Sequence, residues 1–233
     1  MQAWMNNVPE AIVRAKAELR ARITDLPERF ARIDAHIRQE VAAVRAEQAA
    51  GGAVPIINFA DIEAGRVTEA QRAQVRRRGC AVVRGVVDPA QVAQWNDELG
   101  RYIADVDYLG QMESKAGLDK YFSALASAAP QIFSLYWSKP QMQSRQHPHL
   151  ARARSFMNRL WDFEGAQGPV FDPDRECTYA DRLRRRAPGA ASLGLSPHAD
   201  AGSVERWCEP TFHKVYHEVF FGDVLAYNPF KAE

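Results

Sequence analysis

The sequence has no long uninterrupted hydrophobic run. No stretch approaches the roughly 20 apolar residues that a membrane-spanning helix needs. The first ten residues also lack the apolar core behind a positively charged region that marks a secretion signal. These two absences predict a cytoplasmic protein that has no membrane partner.

Cysteine is scarce, and its pattern is uninformative for cross-linking. The chain has Cys80, Cys177 and Cys208, which lie far apart and form no C-x-x-C pair. An odd number of widely separated cysteines indicates neither a disulfide framework nor a structural zinc site. A reducing compartment therefore fits the sequence best, and Cys80, within an apolar segment, is expected to be a buried thiol.

An excess of charge of one sign is also missing. The chain carries 30 basic and 29 acidic side chains, for a net charge of +1. This balance gives no general attraction to nucleic acid or to an anionic membrane surface. Glycine-rich phosphate loops and motif-supported Ser, His and acid sets are absent as well, so the sequence indicates neither a nucleotide-binding protein nor a hydrolase.

Residues 1–52 are predicted to form a helical arm. Apolar residues at helical spacing form two successive stripes that are separated by Pro27 and end before Gly51-Gly52. The stripes consist of Ile12, Ala15, Leu19 and Ile23, and then of Phe30, Ile33, Ile37, Val41 and Val44. The two helices either pack against the main domain, residues 53–233, or serve as a dimerisation arm.

The first half of the main domain alternates between predicted strands and helices. Gly79 is expected to end one helix, and Asp88-Pro89 is expected to cap and begin the next. The predicted order is a strand at Val54–Phe59, a helix at Val67–Arg78, a buried strand at Cys80–Val83 and a helix from Asp88 to about Ile103.

The last third of the chain is predicted to contain short strands. The predicted strands are Cys177–Arg186, Leu193–Leu195, His213–Phe221 and Val224–Tyr227. Helices early in the chain and short strands later predict an α+β fold whose β part is half of a jelly roll.

His198-Ala199-Asp200 is the candidate metal site. In an extended strand, residues two apart lie on the same face, so both side chains can reach one metal ion. An imidazole and a carboxylate, completed by a second His, leave positions open on Fe(II) for oxygen chemistry. The pair alone is weak evidence, because a chain of this composition is expected to contain such a pair by chance. His147-Pro148-His149 is instead predicted to be an exposed loop.

Three segments resemble the YbiU-like proteins, a family of unknown function in the Fe(II)/2-oxoglutarate-dependent dioxygenase superfamily. The third segment is the most specific, since it contains the candidate metal pair. The segments are Arg78–Val86, Tyr136–Gln141, and Tyr179–Arg182 continued by Pro197–Trp207. The resemblance implies a double-stranded β-helix (jelly-roll, cupin-like) core, an iron site and 2-oxoglutarate as co-substrate.

The resemblance suggests roles for four further residues. Tyr179 and Arg182 are candidates for binding 2-oxoglutarate, because a guanidinium group matches a carboxylate bidentately. The arginine run from Arg182 to Arg186 can equally be a solvated or ion-paired face. Arg206 and Trp207 are candidates for the border of the substrate pocket, or for a surface stacking pair.

The resemblance also implies a missing part. In the superfamily the distal His and the basic residue that holds 2-oxoglutarate follow the His-x-Asp pair at a distance, whereas 33 residues follow Asp200. We therefore expect a C-terminally truncated oxygenase with an incomplete β-helix, which can be inactive. Two alternatives stay open: a non-catalytic remnant that acts through protein contacts, and a cupin-like metal enzyme in which His213 or His217 completes the site.

An incomplete β-helix predicts self-association. Its unpaired sheet edges and uncovered apolar interior invite pairing with another chain. We expect the isolated chain to be poorly soluble and to elute above its monomer mass of 26.2 kDa in size-exclusion chromatography with light scattering. A monomer with a sharp cooperative melt would contradict this expectation.

Overall fold

The computed structural model describes residues 7–106, 132–133, 135–178, 180–186, 188–189 and 203–231. These residues form a mixed helix-and-sheet architecture in which helices of 4 to 24 residues predominate and the strands have two or three residues. The elements before residue 107 are α1 (Val8–Arg22), α2 (Leu26–Ala49), β1 (Ile56–Asn58), α3 (Phe59–Glu63), α4 (Glu69–Arg78), β2 (Val82–Arg84) and α5 (Pro89–Asp105). Those after residue 131 are β3 (Ile132–Phe133), α6 (Lys139–Arg145), α7 (Pro148–Asn158), β4 (Glu164–Gly165), β5 (Gly168–Pro169), β6 (Leu183–Arg184), α8 (Val204–Trp207), α9 (Pro210–Val215) and α10 (His217–Phe220).

Local capping signals explain where the early helices begin and end. The Asn7 side chain accepts a hydrogen bond from the backbone of Glu10 at the start of α1, and Asp88 caps α5 in the same way. Pro27 lies in the first turn of α2, where its missing N–H costs nothing. Gly79 ends α4 in the left-handed conformation at φ 67°. The predicted helices in these four places are confirmed.

The first apolar cluster lies around the parallel pair of β1 and β2. Ile56–Asn58 pairs in register with Val82–Arg84, and α4 and α7 pack beside this pair. The buried members of the cluster are Ile57, Val67, Val75, Phe156 and Leu160, and Phe230 packs against them. The cluster therefore joins the middle of the chain to its last described residues.

The second apolar cluster joins the helical arm to the elements after residue 202. Leu19 and Ile23, at and just beyond the end of α1, are buried against Phe220 of α10. Trp207 and Tyr216 pack against the same cluster, and their rings lie 5.6 Å apart. Of the two alternatives for the helical arm, packing against the main domain is therefore the one that α1 follows. In contrast, α2 has no buried residue, and Phe30 and Ile37 are exposed.

The predicted strand at His213–Phe221 is wrong, because this segment forms α9 and α10. Pro210 begins α9, and Phe212, Tyr216 and Phe220 recur every four residues, which is a helical period rather than the alternation of a strand. The predicted strand at Val224–Tyr227 is also wrong, since these residues form a turn.

The predicted strand at Cys177–Arg186 is reduced to β6. Leu183–Arg184 pairs antiparallel with Ile132–Phe133, whereas the carbonyl of Asp181 accepts a hydrogen bond from the Gln141 side chain at 3.1 Å. A side-chain donor thus occupies a group that a longer strand would need for pairing. In the described ranges each sheet has two strands.

Cys80 is exposed, which corrects the prediction of a buried thiol. The strand that was expected to bury it begins only at Val82, which is itself 44% exposed. The two-stranded sheet of β1 and β2 does not bury both of its own faces. Within the described ranges, no helix is both long and apolar enough to cross a membrane.

Ion pairs attach α2 to α4. The Arg78 guanidinium, 7% exposed, pairs with Glu47 and lies 3.4 Å from Glu40, while Arg77 lies 3.1 Å from the other Glu40 oxygen. The hydrogen bond from Arg77 is the main cause that lowers the pKa of Glu40, and the bond from Arg78 is the main cause for Glu47. These contacts fix the second half of α2 beside α4, where α2 has no buried residue.

The variant Arg78→Met should destabilise the protein in a pH-dependent way. Because folding lowers the pKa of Glu40 and Glu47, their contribution to stability is complete above the ordinary carboxyl value of 4.5 and is lost as the pH falls through the lowered values. Denaturant unfolding should therefore separate wild type from variant at neutral pH and separate them less in acid. The control Arg38→Met removes an exposed pair with Asp34 and should change little. A pH-independent difference would contradict the prediction.

The variant Leu19→Ala should lower the free energy of unfolding by about 2–4 kcal/mol, since a buried Leu leaves a cavity. Trp207→Ala should also destabilise, and the two losses should not add, because both residues belong to one cluster. Val13→Ala is the matched control on the same helix, since Val13 is 68% exposed. Additive losses in denaturant unfolding would mean that α1 and α8 do not share a core.

Candidate functional site

The candidate metal ligands His198 and Asp200, together with Tyr179, lie outside the described residues. Their assignment therefore stays a prediction. The chain on both sides of the metal pair is described, with β6 before it and α8 after it. The structure therefore describes the contacts of the chain segments that precede and follow the metal pair.

Arg182, the predicted 2-oxoglutarate ligand, lies immediately before β6. Its Nε donates a hydrogen bond to the Tyr136 hydroxyl at 2.9 Å, and the residue is exposed. A guanidinium group held at Nε has a fixed plane, which favours recognition of a planar carboxylate. The position is compatible with the predicted role.

The arginine run after Arg182 does not lie on one extended strand, because β6 covers only Leu183–Arg184. Arg185 instead lies against α5, where its guanidinium nitrogen is 3.7 Å from the place that a Cβ on Gly100 would occupy. Of the arginines in this run, Arg182 is the one that donates a hydrogen bond to a side chain of residues 135–141, the Tyr136 hydroxyl.

The segment Leu135–Gln141 contains contacts to Arg182 and Asp181 that sequence reasoning missed. Tyr136 accepts from Arg182, and the Gln141 amide donates to the Asp181 carbonyl. The available signal was Ser138-x-x-Gln141, which has the pattern of a capping box. The capping box is formed at the start of α6, and both residues are buried.

Arg206 and Trp207, the predicted border of the substrate pocket, lie on α8. The Arg206 guanidinium is 5.0 Å from the centre of the Phe212 ring, so it stacks on Phe212. Trp207 packs into the second cluster, and its buried Nε1 has no hydrogen-bond partner among the described residues. Both side chains have packing contacts, and their role toward a substrate stays a prediction.

His213 and His217 lie on α9 and α10 rather than on the predicted strand. The ring of Phe221 is 4.8 Å from that of His213 and 5.9 Å from that of His217, and Nδ1 of His217 is 3.7 Å from the Glu218 carboxylate. In the part of the chain that the structure describes, no group of three or more His, Cys, Asp or Glu side chains is arranged to hold a metal ion.

Cys208, which follows α8 directly, has a raised pKa. Burial is the main cause, and the negative charge of Glu18 on α1 is the next. The raised pKa keeps this side chain a protonated thiol at neutral pH, which disfavours it as a thiolate ligand.

His147 and His149 are not in an exposed loop, which corrects the sequence-based prediction. Nδ1 of His147 accepts a hydrogen bond from the backbone N–H of His149 and so caps α7. Nδ1 of His149 lies 2.9 Å from the carbonyl oxygen of Val86. Both rings are half-buried, and these contacts give them a structural role.

The Gig2-like family model matches residues 6–233, nearly the whole chain. The chain is 40% identical over 223 residues to the uncharacterized protein YbiU of Escherichia coli strain K12, and the match covers 95% of this chain and 52% of that protein. The predicted resemblance to YbiU is therefore confirmed. The chain spans about half the length of this curated relative.

Crystal structures of longer proteins share the fold. A hypothetical protein from Escherichia coli has a TM-score of 0.74 and 38% identity, with 95% of this chain and 52% of that chain covered. A Salmonella typhimurium LT2 protein, named provisionally as an oxidoreductase, has a TM-score of 0.78 and 38% identity, with 95% and 53% covered. The GlcNAc Inducible Gene 2 protein of Candida albicans, with a TM-score of 0.65 and 24% identity over 96% of this chain and 42% of that one, shares the fold alone. The chain belongs to the Gig2-like family.

Proposed function

We propose that this chain is part of an Fe(II)/2-oxoglutarate-dependent oxygenase that oxidises a small molecule. The observation that carries the proposal is the pair His198-Ala199-Asp200, which Arg182 precedes in the sequence and Arg206 follows. The Salmonella typhimurium relative, named provisionally as an oxidoreductase, supports the same reaction class.

The chemistry of the donor set suits ferrous iron. One imidazole nitrogen and one carboxylate oxygen, with a second imidazole, form the facial set that keeps positions open for a co-substrate. Within the described residues no group of three ligands is present, so a second imidazole would complete the set from elsewhere. The relatives are about twice as long as this chain, and in this proposal the part that it does not span supplies the second imidazole.

A metal held by His198 and Asp200 would supply oxygen activation, with 2-oxoglutarate as its co-substrate. The role proposed for the chain's own residues is to bind and orient. The Arg182 guanidinium would hold the carboxylate of 2-oxoglutarate that is far from the metal, and Tyr179 would donate a hydrogen bond to the same group. Arg206 and Trp207 would border the primary substrate.

The fold included in this proposal is an incomplete double-stranded β-helix of the jelly-roll, cupin-like type. The antiparallel pair of β3 and β6 supports it, since such a core is built of antiparallel strands. The cupin-like variant of the proposal takes its third ligand from His213 or His217, which lie on the helices that follow α8.

A second candidate function is a non-catalytic module that acts through protein contacts. The observation that favours it is the packing of Trp207 into the second cluster and of Arg206 onto Phe212, because side chains engaged in packing contribute less to a substrate pocket. The exposed apolar residues Phe30 and Ile37 on α2 would suit a partner surface.

An anaerobic titration with Fe(II) and 2-oxoglutarate tests the proposal. A visible charge-transfer band from chelation of the metal by 2-oxoglutarate that is lost in His198→Ala would mean that a usable site exists within this chain. No band would mean that the site is only half present and that the function belongs to a longer protein. The matched control is His36→Ala, which removes an exposed imidazole from α2 and should leave the band unchanged.

The outcomes separate the candidates. A band that His213→Ala or His217→Ala also abolishes would support the cupin-like ligand set. A band in wild type that persists in His198→Ala would overturn the assignment of the metal pair. If wild type gives no band and the chain forms a stable oligomer, the non-catalytic module is favoured instead.

A further inference from the structure

Helix α2 carries an exposed apolar stripe. Its members Phe30, Ile37 and Val41 are 67%, 53% and 43% exposed. They are seven and four residues apart, so the helical period places them within about 20° of one line that is about 16 Å long. Single exposed apolar residues are ordinary, whereas a set that is aligned on one face marks an interaction surface.

Polar contacts fix the rotation of α2, so the apolar stripe does not turn toward the body of the protein. The Arg29 guanidinium donates to the Gly222 carbonyl at 2.6 Å, and the Glu40 carboxylate lies 3.1 Å from the Arg77 guanidinium. Arg29 and Glu40 share one side of α2, which is about a quarter turn away from the stripe. The helix is therefore held by one side while the stripe stays in solvent.

An acid and a base lie beside the stripe, on the flank that Arg29 and Glu40 do not occupy. Asp34 and Arg38 are one turn apart and pair at 2.7 Å, with side chains that are 62% and 77% exposed. Because this pair lies within α2 and in solvent, it contributes little to the stability of the chain. The two charges are therefore accessible to the surface of another molecule.

The stripe and its charges are arranged about one centre. Phe30 and Val41, and likewise Asp34 and Arg38, are spaced evenly on the two sides of residue 36. If two copies of α2 run antiparallel about a twofold axis at this centre, Phe30 of each copy meets Val41 of the other. In the same arrangement Asp34 of each copy meets Arg38 of the other. A twofold interface requires a surface that is complementary to itself, and this surface has that property.

We infer that α2 is a dimerisation helix, which packs antiparallel against α2 of a second copy of this chain. Burial of the stripe supplies the attraction, and the pairs between Asp34 and Arg38 of the two copies set the antiparallel direction. The inference goes beyond the proposed function, because it holds whether or not the chain binds iron. A contact of three helical turns is smaller than a standard protein interface, so the dimer should dissociate in the micromolar range.

Sedimentation equilibrium tests the role of the stripe. The mass of wild type should rise from that of the 26.2 kDa monomer toward that of a dimer as the concentration passes through the micromolar range. The variant Ile37→Glu puts two like charges near the twofold axis and should weaken the dimer by at least about tenfold. Gln39→Glu is the matched control, because it adds the same charge to an exposed position on the opposite side of α2. It should dimerise as wild type does, and both variants should keep the wild-type melting temperature.

A mixing experiment tests the antiparallel direction. Asp34→Arg and Arg38→Asp each place like charges opposite one another in the dimer, so each variant alone should dimerise about tenfold more weakly than wild type at low salt. An equimolar mixture of the two variants should regain the wild-type dissociation constant, because each introduced charge then faces an opposite charge on the other chain. Within each chain the two like charges remain, so an effect confined to one helix would leave the mixture as weak as its components.

Three results would overturn the inference. The first is a wild-type chain that stays monomeric at the highest concentration reached. The second is association that Ile37→Glu leaves unchanged, which would indicate pairing through sheet edges instead. The third is a mixture of Asp34→Arg and Arg38→Asp that associates no better than either variant alone, which would exclude the antiparallel pairing of α2.

Discussion

The burial of Leu19 and Ile23 against Phe220 is the contact on which the arrangement of the N-terminal helices depends. Burial of each such side chain contributes about 1.5–3 kcal/mol, whereas an exposed ion pair contributes between about 0 and 1 kcal/mol. Because α2 has no buried residue, the apolar contacts of α1 have to bring α2 to its place. Polar contacts then fix its direction.

These polar contacts lie at both ends of α2. Near its beginning, Arg29 donates to the Gly222 carbonyl at 2.6 Å and Arg32 pairs with Asp223 at 2.7 Å. Near its end, Glu40 and Glu47 pair with the basic end of α4. Two elements from opposite ends of the chain are therefore fitted to each other.

Sequence reasoning succeeded where the decisive contacts are local. The boundaries of α2, α4 and α5 follow from Pro27, Gly79 and Asp88, each of which acts within a few residues of itself. It failed at His213–Phe221, where a period of four was taken for alternation. The helical signals, Pro210 and the period of four, are themselves local, so the error lay in the interpretation of the pattern and not in information missing from the sequence.

The candidate site divides in the same way. The His-x-Asp spacing is enough to propose His198 and Asp200 as metal ligands. A basic residue shortly before the pair is enough to propose Arg182 as a ligand for 2-oxoglutarate. The partners of Arg182 were not predictable from spacing, because Tyr136 is 46 residues away in the sequence and nothing in the local pattern links the two. The capping box of Ser138 and Gln141 could be found, but its second use, as a donor to Asp181, depends on the fold.

The flanks of the candidate metal pair are both anchored, though by different chemistry. Before it, polar contacts of Gln141 and Arg145 hold residue 181; after it, apolar contacts hold Trp207 on α8. Hydrogen bonds are directional, and the bond from Arg182 Nε to the Tyr136 hydroxyl acts on the guanidinium group itself, whereas apolar packing sets position more than orientation. A carboxylate ligand needs an oriented guanidinium and an apolar wall needs only to be close, so the two anchors match the different roles proposed for Arg182 and Trp207.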